Sequence, residues 1–163
     1  RKGQGLMLSH TLQENFGLPN LQRFSRGPLV DGRKERDAFF TFADRLNLKS
    51  TGPSQAAAHL SGGNQQKLVL AKWLARDADV IIFDEPTRGI DVGAKYEIYL
   101  LINQLVEQGK SVIMISSEIP ELLGMSDRIL VVRQGSIAGE ITDVAAASQE
   151  DVLGYSLTHT EQP

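Results

Sequence analysis

Val80-Ile81-Ile82-Phe83-Asp84-Glu85-Pro86 is the stretch on which the fold turns. Four apolar residues in succession, three of them β-branched, read as a buried strand running from Asp79 to Asp84. Two carboxylates stand at its exit, where they cost desolvation energy unless they are paired, capping or metal-bound. A hard cation that bridges nucleotide phosphates is held through one or two carboxylates and several waters, so magnesium is one explanation. A second carboxylate beside it can polarise a water in line with a leaving phosphate. Taken alone, the stretch fits a plain cap on the following helix equally well.

Working outward, residues 59 onward alternate helical and short apolar patterns. Gly63 to Arg76 has Leu68, Leu70, Ala71 and Leu74 at helical spacing, and Val92 to Gln108 reads as a helix stopped by Gly109. Ser111 to Ser116 is a second buried strand, followed by a short helix at Pro120 to Leu123. Arg128–Arg133 and Ser136–Ile141 form a hairpin around Gln134-Gly135. Such alternation predicts an α/β fold, a parallel sheet covered on both faces, with ligands beyond the carboxyl ends of its strands. Asp84 and Ser116 both fall there.

Residues 1–58 have a different texture. Gly17-Leu18-Pro19-Asn20, Arg26-Gly27-Pro28 and Ser50-Thr51-Gly52-Pro53 punctuate short helical patterns. Glu35 to Leu48 reads as an amphipathic helix that places Phe39, Phe40, Ala43 and Leu46, with Phe42, on its apolar side. Arg33-Lys34-Glu35-Arg36-Asp37 opens it and reads as a solvated first turn.

The second decisive stretch is Leu60-Ser61-Gly62-Gly63-Asn64-Gln65-Gln66-Lys67. Two glycines before a helix leave its first N–H groups uncovered, a serine adds a hydroxyl, and the helix dipole makes that end an anion site. The alternative is a flexible turn with a serine cap.

Together these stretches resemble the ATP-binding cassette ATPases. Leu60 to Gln65 looks like their signature motif, Val80 to Glu85 like their Walker B strand, and Gly89-Ile90-Asp91 like their D-loop, in the family's order and spacing. Finer wording is similar to the second cassette of tandem importers for ribose, galactose and related solutes. It lies in Asn64–Lys67, Glu85–Ala94, Ser116-Ser117-Glu118, Gly124–Arg128 and the opening Arg1-Lys2-Gly3-Gln4-Gly5-Leu6. The resemblance implies a partial P-loop NTPase core, RecA-like, with a mostly parallel sheet, a helical subdomain and a C-terminal β-hairpin. It divides the chain into a partial helical subdomain (1–58), the C-terminal half of the cassette core (59–143) and a C-terminal helix and tail (144–163). It implies that Ser61 and the N–H groups of Gly62 and Gly63 grip the γ-phosphate of ATP within a nucleotide contact spanning Leu60, Ser61, Gly62, Gly63, Asn64 and Gln65. It gives Asp84 the Mg2+ shell, Glu85 the role of general base, and Asp91 communication across a cassette dimer.

Two features depart from the family pattern. The phosphate-cradling Gly-x-x-x-x-Gly-Lys-Ser/Thr loop is absent, as are a recognisable adenine platform and Q-loop, so the chain by itself is expected to bind ATP poorly and to be inactive. Ser117 stands where the family places a histidine that orients the γ-phosphate and the attacking water. Serine carries no proton charge near neutrality and has a shorter reach. The site built on this half's own Walker B strand is therefore expected to be weak, and its main service to be donation of the signature motif to the partner cassette.

Composition bounds the rest. The 163 residues are 41% hydrophobic and 23% charged with a net charge of −3, ordinary for a globular domain and without an overall drive toward nucleic acid or anionic lipid. The lack of cysteine excludes disulfides and thiolate metal sites. His10, His59 and His159 are scattered without ligand spacing, Trp73 reads as packing, and the tail after Asp151 as frayed. Apolar runs of four or five residues span no bilayer, and the opening residues, with no initiator methionine or apolar stretch, read as a cut and not a signal peptide. The resemblance thus implies an ATPase subunit peripheral at the cytoplasmic face of the inner membrane. Its partners would be a second cassette, an integral membrane permease and, indirectly, a periplasmic sugar-binding protein, with no nucleic acid. A cassette ATPase of DNA repair or translation is the alternative, although the long insertions of those relatives are missing. A non-catalytic interaction fragment is a third reading.

Overall fold

Four helices begin where a short oxygen-bearing side chain takes up their first free amides. Thr11 and Glu14 form a reciprocal capping box on the first helix. Asp31 accepts from Arg33 N and Lys34 N, Ser61 from Asn64 N, and Asp91 from Ala94 N. The computed structural model describes residues 5–157. Its elements are α1 (Leu12–Gly17), α2 (Leu21–Phe24), β1 (Ser25–Arg26), β2 (Leu29–Val30), α3 (Gly32–Arg45), α4 (Gly62–Leu74), β3 (Val80–Asp84), α5 (Val92–Glu107), β4 (Ser111–Ile115), α6 (Ile119–Met125), β5 (Ile129–Arg133), β6 (Ser136–Ile141) and α7 (Gln149–Leu157). The predicted helices and hairpin are present with ends shifted by a few residues. Among the described residues no helix is long and apolar enough to cross a membrane. The chain divides into two compact units, Arg1–Ile81 with Thr87–Val112, and Ile82–Pro86 with Ile113–Pro163.

In the first unit the core grows around Phe16, which is fully buried. Its ring lies 5.9 Å from Phe24, 5.8 Å from Phe39 and 5.7 Å from Phe42, within the range where aromatic pairs attract. Phe39, Ala43 and Leu46 face inward at helical spacing, but Phe40, predicted to join them, is 44% exposed, because one residue along a helix turns its side chain by about 100°. The predicted solvated turn at Arg33–Asp37 holds for Arg33, Lys34, Arg36 and Asp37, which are exposed, and is corrected at Glu35 alone. Glu35 is buried and accepts a 2.7 Å hydrogen bond from Gln13 Nε2. Leu68, Leu70, Ala71 and Leu74 of α4 are buried as their spacing predicts. Trp73, expected to pack, is 55% exposed with the Lys72 ammonium 5.4 Å from its ring, since the buried face of α4 already belongs to its neighbours. Asn20 Nδ2 donates to Phe16 O at 2.9 Å and Lys72 O at 2.8 Å, tying the first helices to α4.

β3 and β4 pair side by side in parallel. Asp79 O accepts from Ser111 N at 2.8 Å at one end, and Ile115 O from Glu85 N at 2.7 Å at the other. Both strands were expected to be buried on both faces. Instead Val80, Ile82, Ile113 and Ile115 are each at least half exposed, and of β3 only Phe83 is buried. The alternation is that of a strand pair with one covered face, because no described element packs over the other.

In the second unit β5 and β6 form an antiparallel hairpin. Gln134 and Gly135 turn it with φ of 50° and 80°, the left-handed pair that a two-residue hairpin loop demands. Ile129, Val131, Ile141, Val144 and Val152 form its core, with Ile119, Leu122 and Leu123 packed against it. Asp151 and Ser148 bond reciprocally at the start of α7, which runs to Leu157. The predicted fraying after Asp151 is therefore corrected as far as Leu157. The remaining tail, with His159, and residues 1–4 lie outside the described residues.

Candidate functional site

Ser61 and Gly62 are exposed at the start of α4, and Gly63 and Asn64 partly so. The Ser61 hydroxyl accepts from Asn64 N at 3.4 Å and from Asn64 Nδ2 at 3.0 Å, which leaves the amides of Gly62 and Gly63 without an intrahelical partner. Asn64 Oδ1 accepts from Lys49 N at 2.8 Å, bracing the loop from outside. Leu60 is buried, and the Gln65 amide donates to Ala57 O and Leu60 O at 3.3 Å. These two side chains thus hold the loop from behind, and neither reaches the open end.

Asp91 lies beside that end. It caps α5 by accepting from Ala94 N at 3.0 Å. A methyl group built on Gly63 would sit 3.5 Å from Ala94 Cβ and 3.9 Å from Asp91 Oδ2. The first unit therefore brings Ser61, Gly62, Gly63, Asn64 and Asp91 together, with two helix N-termini side by side, and two helix dipoles add positive potential there.

The second unit holds the other group. Asp84 is exposed at the end of β3, and Glu85 follows with φ = 49°. A left-handed non-glycine residue costs on the order of 1–3 kcal/mol, and the proline after it adds restriction. Pro86, fully buried, anchors the turn that holds it. The Glu85 amide bonds to Ile115 O, which sets the carboxylate-bearing turn next to the loop after β4. In that loop Ser116 Oγ donates to Glu121 Oε2 and accepts from Glu118 N at 3.0 Å, leaving Ser117 exposed on an ordered turn. Sequence reasoning placed these residues at strand ends because the signal, an apolar run that stops at a polar residue, is local. It gave no role to Asn47, Lys49 or Glu97, whose contacts with α4 are set by packing alone.

Among the described residues no cluster of three or more His, Cys, Asp or Glu is arranged to hold a metal ion. One exposed carboxylate at a strand end still suits a magnesium ion that takes its remaining oxygens from phosphates and water.

An alternating α/β chain with a bare, serine-capped helix end, a strand-end Asp-Glu pair and a capping aspartate after it defines a nucleotide-binding cassette. The chain belongs to the ABC transporter family, whose profile matches residues 2–88. It is 52% identical over 94% of its length to the ribose import ATP-binding protein RbsA of Bacillus subtilis (strain 168), and 52% over 97% to ribose import ATP-binding protein RbsA 1 of Streptomyces avermitilis. It spans about a third of those relatives, 31% and 30% of their lengths. A solved dimeric ATP-binding cassette, MJ0796 in a post-hydrolysis state bound to ADP and Pi, superposes with a TM-score of 0.71 at 28% identity, over 85% of this chain and 60% of that one. The fold is thus the cassette ATPase fold predicted from the motifs, mixed α/β with a parallel pair and an antiparallel hairpin.

Proposed function

We propose that the chain is the C-terminal part of the second cassette in an ATP-binding subunit that energises import of ribose or a related sugar through a membrane permease. The observation that carries this reading is the open amide end of α4, flanked by Asp91, in a chain half identical to proteins named for ribose import. Residues 1–58 form a partial helical subdomain, 59–143 the C-terminal half of the core, and 144–163 a terminal helix and tail. The Ser61 hydroxyl and the Gly62 and Gly63 amides bind the γ-phosphate of an ATP held chiefly by the partner cassette. Oriented amides aimed at a transferring phosphoryl group are the usual source of its stabilisation. Asp91 links the two nucleotide sites. Asp84 holds the magnesium shell, and magnesium, when bound, supplies charge neutralisation at the phosphates. Glu85 takes the proton of the attacking water. Ser117 can donate a hydrogen bond to phosphate but cannot take up charge as histidine would, so this half's own site turns over slowly.

The subunit sits peripherally on the cytoplasmic side, against a permease fed by a periplasmic sugar-binding protein. None of the relatives described above carries a repair or translation name, and no observation favours that alternative. The test is ATP turnover by the full-length protein reconstituted with its permease in vesicles. Sugar-loaded binding protein is expected to raise turnover. A protein that neither binds nor hydrolyses ATP, or whose turnover responds to DNA or ribosomes instead of sugar, overturns the reading.

A further inference from the structure

Beneath the two amide ends lies a salt bridge that the phosphate chemistry does not use. Lys67 is the sixth residue after the Ser61 cap of α4, and Glu97 the sixth after the Asp91 cap of α5. Each is about 9 Å below its helix end at 1.5 Å per residue. Lys67 is 8% exposed, and its ammonium pairs with Glu97 Oε2 and donates to Asn47 O at 3.0 Å. Asn47 Nδ2 closes the triangle by donating to Glu97 Oε1 at 3.1 Å. Asn47 is left-handed, φ = 48°, a conformation that asparagine tolerates better than most residues and that turns its carbonyl and side chain to the same pair. Two residues further, Lys49 N holds Asn64, whose amide holds the Ser61 hydroxyl.

Gly63 lies against Ala94 and Lys67 against Glu97, so the two helices run in the same direction and in step. Apolar packing between helices is not directional and permits sliding. An ion pair buried at its lysine end, with a third hydrogen-bonded partner, permits one geometry, and buried polar groups are best attested as setters of register. We infer that Lys67, Glu97 and Asn47 are positioning residues that hold α4 and α5 in axial register, so that the Ser61 and Asp91 ends meet the nucleotide as one rigid surface. The inference rests on the reading of those ends as nucleotide-facing. The hydrogen bond from Lys67 lowers the pKa of the Glu97 carboxyl from its ordinary value, which favours its charged form.

The experiment measures kcat and KM for ATP in the full-length protein with its permease, alongside thermal unfolding. The informative variant is the double substitution Lys67→Met/Glu97→Leu, because it removes both charges together and leaves none unpaired at the buried Lys67 end. It should melt near the wild type yet lose roughly tenfold to a hundredfold in kcat, the scale that a displacement of about 1 Å costs, with KM changed by about twofold or less. Lys67→Arg, which keeps the charge and reaches both acceptors, should restore most of kcat. A folded double variant with wild-type kcat overturns the inference. Should the double variant not fold, Glu97→Gln at the half-exposed end of the pair decides, and unchanged kcat there overturns it equally. A wild type without ATP turnover overturns the proposed function and this inference together. An active wild type with an equally active variant overturns the positioning role alone.

Discussion

Gly17 should be intolerant of alanine for one reason only, the Glu35 carboxylate. A Cβ added at Gly17 would lie 1.6 Å from Glu35 Oε1 and 2.7 Å from its carboxyl carbon. The backbone itself has no objection, because Gly17 sits at φ −72° and ψ −32°, ordinary helical values. Elsewhere on a helix the same change would stabilise by about 0.5–1 kcal/mol. Here Glu35 must move, and its bond from Gln13 Nε2 is lost with it. A hydrogen bond to a charged group contributes about 1.5–3 kcal/mol. Subtracting the helical gain leaves a net loss of about 1–2 kcal/mol for Gly17→Ala. The sign should reverse once the carboxylate is gone, so Gly17→Ala in a Glu35→Ala background should be neutral or stabilising by up to about 1 kcal/mol. Urea denaturation of the four proteins of this cycle, followed by far-ultraviolet circular dichroism, measures the coupling. Equal cost in both backgrounds, or no cost in the wild type, refutes the steric argument.

Ser117→His in the full-length protein should raise ATP turnover by about a hundredfold, the lower end of the range for a positioned acid–base group. Ser117→Ala should cost far less than Glu85→Gln, and equal losses in single-turnover hydrolysis would make Ser117 itself catalytic. The acid limb of stability should carry the mark of Glu97. Its folded pKa lies below the ordinary 4.5, so its contribution is present above that value and is lost as pH falls through the folded value. Unfolding free energy measured from pH 6 downward should therefore fall less steeply below about pH 4.5 in Glu97→Gln than in the wild type, and parallel curves would contradict the pairing.

What could be read without coordinates was what depends on near neighbours in the chain. Ser61 and Asp91 precede apolar periodic segments and cap them, Gly109 stops α5 with φ = 82°, and Gln134-Gly135 turns a hairpin. Caps, turns and helical spacing act over three or four residues, so the residue order alone specifies them. The open end at Ser61–Gly63 and the carboxylates at the end of β3 were legible for the same reason. The tertiary structure alone decided which side of each element is covered and which distant groups meet. Phe39 goes inside and Phe40 outside, Glu35 is buried while Trp73 is exposed, and alternate side chains of β3 and β4 face outward. Lys67 finds Glu97 across thirty positions. Burial and ion pairing are set by what packs alongside, and no local propensity carries that information.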